Sequence, residues 1–301
     1  MKRRDFIKIA GVATCPIPLS LTAYDNRQII KRKIPSSGEL LPIVGVGTWQ
    51  TFDVGSSQAE REPLKQVLQI MRDSGGSVVD SSPMYGRSEK VVGELSSELG
   101  ISDQLFAATK VWTSGKESGI NLMERSMDLM KKRPMDLMQI HNLQDWQTHI
   151  KTLMDWKKKG IIRYIGITHY VESAYSRMEQ IMKNYPIDFI QLNYSITSRS
   201  AENSILPLAR DKGISVLVNR PYEGGSLFRR TKGKELPPWA TDLGIKSWGQ
   251  YFLKFILSNP SVTCVIPGTD KPHHMTDNMG AGFNPMPDIR QRQKMVDYFL
   301  S

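Results

Sequence analysis

Ser77-Val78-Val79-Asp80-Ser81-Ser82-Pro83-Met84-Tyr85-Gly86 joins a short apolar run to a polar strand end. The run itself, 77–81, has the length and composition of a strand buried on both faces of a parallel sheet. Seven more runs of this kind lie at 43–48, 105–110, 136–141, 162–167, 188–192, 214–219 and 262–266. Between them the apolar residues recur with a helical period. Residues 58–73 place Leu64, Val67, Leu68 and Met71 on one face, and 120–132 do so with Leu122, Met123, Ser126, Leu129 and Met130. The segments 148–159, 171–183, 201–212 and 247–257 follow the same pattern. Their methionines read as adaptable core filler. Ahead of all this, Ile34-Pro35-Ser36-Ser37-Gly38-Glu39-Leu40 reads as a small hairpin with a polar turn. Eight strands alternating with helices after an N-terminal β-hairpin predict an α/β fold, the closed (β/α)8 TIM barrel. An open doubly wound sheet would want G-x-G-x-x-G after its first strand, but Gly45-Val46-Gly47 runs into Thr48-Trp49-Gln50 without a third glycine.

The chain has 301 residues, 40% of them hydrophobic and 23% charged, with a formal net charge of +10. That composition supports a sizeable core. A basic total can signal nucleic-acid binding, but the Lys and Arg are scattered and no zinc-finger, RNP-like or basic-helix pattern accompanies them. No nucleic-acid partner is expected. Cys15 and Cys264 are the two cysteines, and the absence of a Cys/His cluster argues against a metal site.

Residues 1–23 read as a leader rather than as part of the fold. Lys2, Arg3, Arg4, Phe6 and Lys8 precede a weakly apolar stretch that ends at Leu21-Thr22-Ala23. The stretch is too short for a membrane span and has the layout of a signal peptide, with paired arginines like those of a twin-arginine signal. The expectation is cleavage after Ala23, export in folded form by the twin-arginine machinery, and a periplasmic barrel domain at 24–301. Without use of the leader the protein would be cytoplasmic.

In a barrel of this class the working residues sit at the C-terminal ends of the strands. Those ends carry Asp80 and Tyr85, then Lys110 in Ala108-Thr109-Lys110, then His141 in Gln139-Ile140-His141-Asn142. A Tyr can give a proton to a carbonyl oxygen, although its free pKa of about 10 is high for the task. A neighbouring ammonium such as Lys110 favours the phenolate and lowers that value, and Asp80 can hold the ammonium in place. His141 can orient the carbonyl by a hydrogen bond.

The D-x-x-x-x-Y-G pattern, the strand-end Lys and the strand-end His, in this order, resemble the aldo-keto reductases from about Ile34 to Asn278. The resemblance implies an oxidoreductase that reduces an aldehyde or ketone with a nicotinamide dinucleotide, NADP(H) ahead of NAD(H) and no metal. It also implies a catalytic set of Asp80, Tyr85, Lys110 and His141. Gly47, Thr48 and Trp49 would line the cofactor, and Gln191 would meet its carboxamide. Several positions depart from the family. Thr168 and His169 replace a Ser-Asn pair, and Asn219 stands where an aromatic residue often stacks on the nicotinamide. Gly268 and His274 replace the cations that grip a 2′-phosphate, leaving Arg220 and Lys271 nearby. Pro221, Thr269 and Asn278 complete the expected cofactor shell. Trp49, Met84, Trp112 and the loops 222–245 and 280–301 would shape the substrate pocket. Those departures keep open a second reading, a dinucleotide-binding regulatory protein without turnover. A hydrolase is disfavoured by the lack of a G-x-S-x-G elbow.

Overall fold

The computed structural model describes residues 28–301, so the expected leader lies outside the described residues. Two antiparallel strands come first, β1 (Lys31–Lys33) and β2 (Leu40–Pro42), with Lys31 opposite Pro42 and Lys33 opposite Leu40. The hairpin read at 34–40 is therefore mostly the turn. The Ile34 N–H donates to the Glu39 carbonyl at 2.8 Å, and the strands lie on either side.

Eight parallel strands follow: β3 (Val46–Gly47), β4 (Val78–Asp80), β5 (Phe106–Val111), β6 (Met135–His141), β7 (Ile162–Thr168), β8 (Phe189–Asn193), β9 (Ser215–Asn219) and β10 (Cys264–Val265). Each pairs with its sequence neighbour, and the bridges Val44–Val265 and Gly47–Gly268 join the first to the last. The barrel predicted from the eight apolar runs is the observed fold.

Alternation along the strands divides the apolar residues between two cores. One faces the surrounding helices. The other fills the barrel floor, where Val78, Phe106, Leu137, Tyr164, Phe189, Leu217 and Cys264 meet Ile34 and Leu41 of the hairpin. Arg32 clamps the hairpin to the barrel by donating to the carbonyls of Leu257, Asn259 and Val262.

The helices are α1 (Gln58–Asp73), α2 (Ser88–Glu98), α3 (Lys116–Met130), α4 (Trp146–Lys158), α5 (Tyr175–Asn184), α6 (Ile205–Lys212), α7 (Ser226–Arg230), α8 (Trp248–Leu257), α9 (Pro272–Gly280) and α10 (Ile289–Leu300). The α1 face is buried as expected, through Leu64, Val67, Leu68 and Met71. α3 begins earlier than its apolar pattern because Lys116, Glu117 and Ser118 fill its first turn, and α4 begins two residues earlier, at Trp146. α5 and α6 begin later, after 3-10 turns at Glu172–Ala174 and Ser200–Glu202. The sequence reading missed α2, α7, α9 and α10. α10 did carry a signal, the capping box in which Asp288 and Gln291 satisfy each other's backbone N–H.

Candidate active site

The inward positions turn from apolar to polar along each strand. Val78 is followed two residues later by Asp80, Phe106 and Ala108 by Lys110, and Leu137 by Gln139 and then His141. Tyr164 leads through Gly166 to Thr168, Phe189 to Gln191, and Leu217 to Asn219. A period of two therefore lays a polar layer over the apolar floor at the C-terminal ends of the strands.

Lys110 is fully buried in that layer. Its Nζ donates to Asp80 Oδ2 at 2.7 Å and to the Ser81 carbonyl at 2.6 Å, and lies 5.1 Å from the centre of the Tyr85 ring. The loop after β4 fixes Tyr85. Its N–H donates to the Ser82 carbonyl at 3.0 Å, and its own carbonyl accepts from Ser88 Oγ at 2.7 Å. Gly86 turns the chain at a φ of 61°, where any Cβ would strike the Asp53 carboxylate. His141 meets the Tyr85 ring edge-on at 5.8 Å, and its Nδ1 lies 2.9 Å from Ser82 Oγ.

Electrostatics here depart in one respect from the sequence expectation. Burial raises the Tyr85 pKa, Lys110 opposes it by charge and hydrogen bonding, and Asp80 adds to the rise. The net shift is upward: in the protein alone the ammonium limits the rise without reversing it. Lys110 is pulled down by burial but pushed up by Asp80, Tyr85 and Glu89, and ends above its ordinary value. It stays charged. Burial, followed by the charges of Lys110 and His169, lowers His141 to about 3 and keeps it neutral.

A cavity of about 1100 Å³ opens over this layer. Asp80, Tyr85 and His141 line it, as do Gly47, Thr48, Trp49, Thr168, Gln191, Asn219, Arg220, Pro221, Thr269, His274 and Asn278. Two expected cofactor residues are not on its wall. His169 turns to its own loop, where Nδ1 accepts from the Tyr170 and Val171 N–H groups and the ring stacks on Tyr170. Lys271 is exposed at the N-cap of α9, with its backbone N–H on Thr269 Oγ1 at 3.1 Å. Lys110 also lies off the wall, beneath Asp80 and Tyr85. Trp49, Met84 and Trp112 form part of the rim as expected. The segment 280–301 does not reach the cavity. α10 packs against α8 instead, with Tyr251 donating to the Met295 carbonyl and Arg292 to that of Phe255.

Tyr170, Tyr222, Phe228 and Trp248 also line the cavity and were not singled out from the sequence. Tyr170 and Tyr222 each lie within three residues of a strand end, which was the available signal. Tyr222 donates to Asn278 Oδ1 at 2.6 Å, while Ser247 Oγ and Gln250 Nε2 donate to Asp277 at 2.6 and 2.9 Å. Among the described residues no His/Cys/Asp/Glu group could hold a metal ion, and no helix is long and apolar enough to cross a membrane.

Similar proteins can be set beside this geometry. The aldo-keto reductase YhdN of Bacillus subtilis is 26% identical over 193 residues, covering 58% of this chain and 56% of its own. The NADH-specific methylglyoxal reductase of Escherichia coli is 28% identical over 232 residues, 65% of this chain and 69% of its own. Among solved structures, the holo form of aldo-keto reductase AKR11C1 from Bacillus halodurans superposes with a TM-score of 0.74 at 21% identity, covering 90% of this chain and 96% of its own. An aldo-keto reductase from Klebsiella pneumoniae in complex with NADPH gives the same four figures. The Aldo/keto reductase family profile matches residues 43–290, and the chain belongs to that family.

Proposed function

We propose that the protein reduces an aldehyde or ketone to the alcohol with a nicotinamide dinucleotide, and that Tyr85 delivers the proton. The observation that carries this reading is the convergence of Asp80, Tyr85, Lys110 and His141 at one end of a single large cavity. The relative named for NADH-specific methylglyoxal reduction and the neighbour solved with NADPH support it.

The residues present fit such a cofactor. Asn219 lines the cavity, and its Oδ1 is buried without a hydrogen-bond donor, an acceptor suited to a carboxamide N–H. Arg220 and His274 supply cationic or protonatable groups on the wall for an anionic dinucleotide. Gly47, Thr48, Trp49, Thr168, Gln191, Pro221, Thr269 and Asn278 would complete the bed. NADP(H) is the favoured form on the family resemblance and the neighbours solved with NADP or NADPH, and NAD(H) is the alternative, as in the relative named NADH-specific.

The bound cofactor would supply the hydride to the carbonyl carbon. Tyr85 gives its hydroxyl proton to the carbonyl oxygen, and the Lys110 ammonium stabilises the phenolate left behind. With the Ser82 hydroxyl, 2.9 Å away, as the donor to His141 Nδ1, the ring proton would sit on Nε2 for a hydrogen bond to the substrate oxygen. A neutral imidazole gives up its remaining N–H far less readily than a phenol gives up its proton, so His141 orients the carbonyl and does not compete with Tyr85 as acid. Trp49, Met84 and Trp112 give the substrate an apolar rim.

Purified protein should oxidise NADPH or NADH when given aldehydes. Tyr85→Phe should lower turnover by about a thousandfold while dinucleotide affinity stays near wild type. Undiminished turnover would remove Tyr85 from the role. Tight dinucleotide binding with no turnover on any carbonyl would favour the regulatory reading. The leader at 1–23 supports export, with 24–301 as the mature barrel. Fractionation of cells that produce the full chain should find the barrel in the periplasm, and cytoplasmic recovery alone would overturn that part.

A further inference from the structure

Asp80 is held by three donors. Lys110 Nζ donates to Oδ2, while Gln139 Nε2 and Gln191 Nε2 both donate to Oδ1, at 2.9 and 2.8 Å. An ionised carboxylate only accepts, so it dictates which end of each amide faces it. Gln191 Nε2 reaches Gln139 Oε1 as well, at 3.1 Å, and Gln191 Oε1 accepts from Thr168 Oγ1 and Asn219 Nδ2, each at 3.2 Å. Gln191 thus spends both its N–H bonds and both its lone pairs inside the protein. Gly166 makes the space for this arrangement, since a Cβ there would lie 2.8 Å from Gln139 Cγ. Buried polar networks fix geometry when every member is satisfied.

The charged and titratable groups facing Tyr85 are Lys110, Asp80 and His141, with Glu89 behind Lys110. Lys110 favours loss of the Tyr85 proton, and Asp80 opposes it. Amide N–H dipoles aimed at Oδ1 offset part of the carboxylate charge and pin its plane. We propose that Gln139 and Gln191 are positioning residues, which hold Asp80 in one orientation and offset its charge so that the Lys110 ammonium acts on the Tyr85 hydroxyl. The inference rests on Tyr85 as proton donor.

The test uses Gln139→Met and Gln191→Met, which remove a donor at similar length, and Gln139→Glu, which adds a like charge. Two quantities are read: the pH profile of kcat, and the phenol-carbon NMR resonance of Tyr85 in tyrosine-labelled protein, assigned by its loss in Tyr85→Phe. The Met variants should move the alkaline limb of kcat up by about one pH unit, and Gln139→Glu further. The resonance should move away from the tyrosinate position in the same order. A folded Gln139→Met with both readouts unmoved overturns the proposal. Gly166→Ala crowds Gln139 without removing a polar group, and decides the matter in the same way if the glutamine variants fail to fold. Turnover that survives Tyr85→Phe would instead sink the assignment of the acid, while the resonance would still report on the amide pair.

Discussion

His141 spends stability to stay neutral. In the unfolded chain it takes up a proton as pH falls through its ordinary value of 6.5, whereas burial and Lys110 delay uptake in the native state to about 3. Between those values the unfolded state binds more protons, so acid destabilises the fold, by up to about 1.4 kcal/mol per pH unit from this residue. His141→Asn should flatten that dependence. Urea unfolding at pH 7 and pH 5 would show it, and an unchanged difference between the two would contradict the burial argument. The four residues proposed as the acid set stood out in the sequence because Asp80, Lys110 and His141 are reactive types at strand ends and Tyr85 follows Asp80 in the next loop. Gln139 did not, since nothing in an amide two residues before His141 marks it as a partner of Asp80 across two strands. The upward shift of Tyr85 was equally hidden, because it follows from burial that no local pattern records.

At the scale of elements, α2 illustrates why some helices escape a periodic reading. Its apolar stripe is only Val91, Val92 and Leu95, and Gly93 interrupts it. The glycine is there for contact: a Cβ would collide with the Leu129 carbonyl of α3. Glu89, at the start of α2, is buried and accepts from Thr109 of β5 and Ser126 of α3. The helix is thus held by close backbone approach and a polar tie rather than by a wide apolar face. Gly93→Ala should cost about 1–3 kcal/mol, read as a lower midpoint of thermal unfolding. The hairpin was read mainly at its turn for a related reason. Its strands, Lys31–Lys33 and Leu40–Pro42, are too short for alternation to show, and only the polar turn between them stands out.

For the whole molecule, the eight strands and their order were readable because burial on both faces leaves compact apolar runs at regular spacing. The cavity wall was less readable, since His169 lies between Thr168 and Tyr170 of the wall yet turns to its own loop, and Lys271, two residues after Thr269, is exposed at the N-cap of α9. The net positive charge, +10 for the full chain and +7 for residues 24–301, bears on that cavity. An anionic dinucleotide entering a basic protein beside Arg220 should bind more weakly as salt rises, and Arg220→Ala should reduce both the affinity and its salt dependence. Quenching of Trp49 and Trp112, which are 47% and 44% exposed at the mouth, offers the titration signal.

Cys264 sits in the barrel floor, sealed from solvent by the hairpin, with its thiol pKa pushed up by burial. A thiol reagent can reach it only when the floor comes apart. Its labelling rate, mapped by peptide to separate it from Cys15, therefore works as a clock for barrel opening: raised reagent brings the rate to a plateau, and that plateau is how often the native barrel lets go.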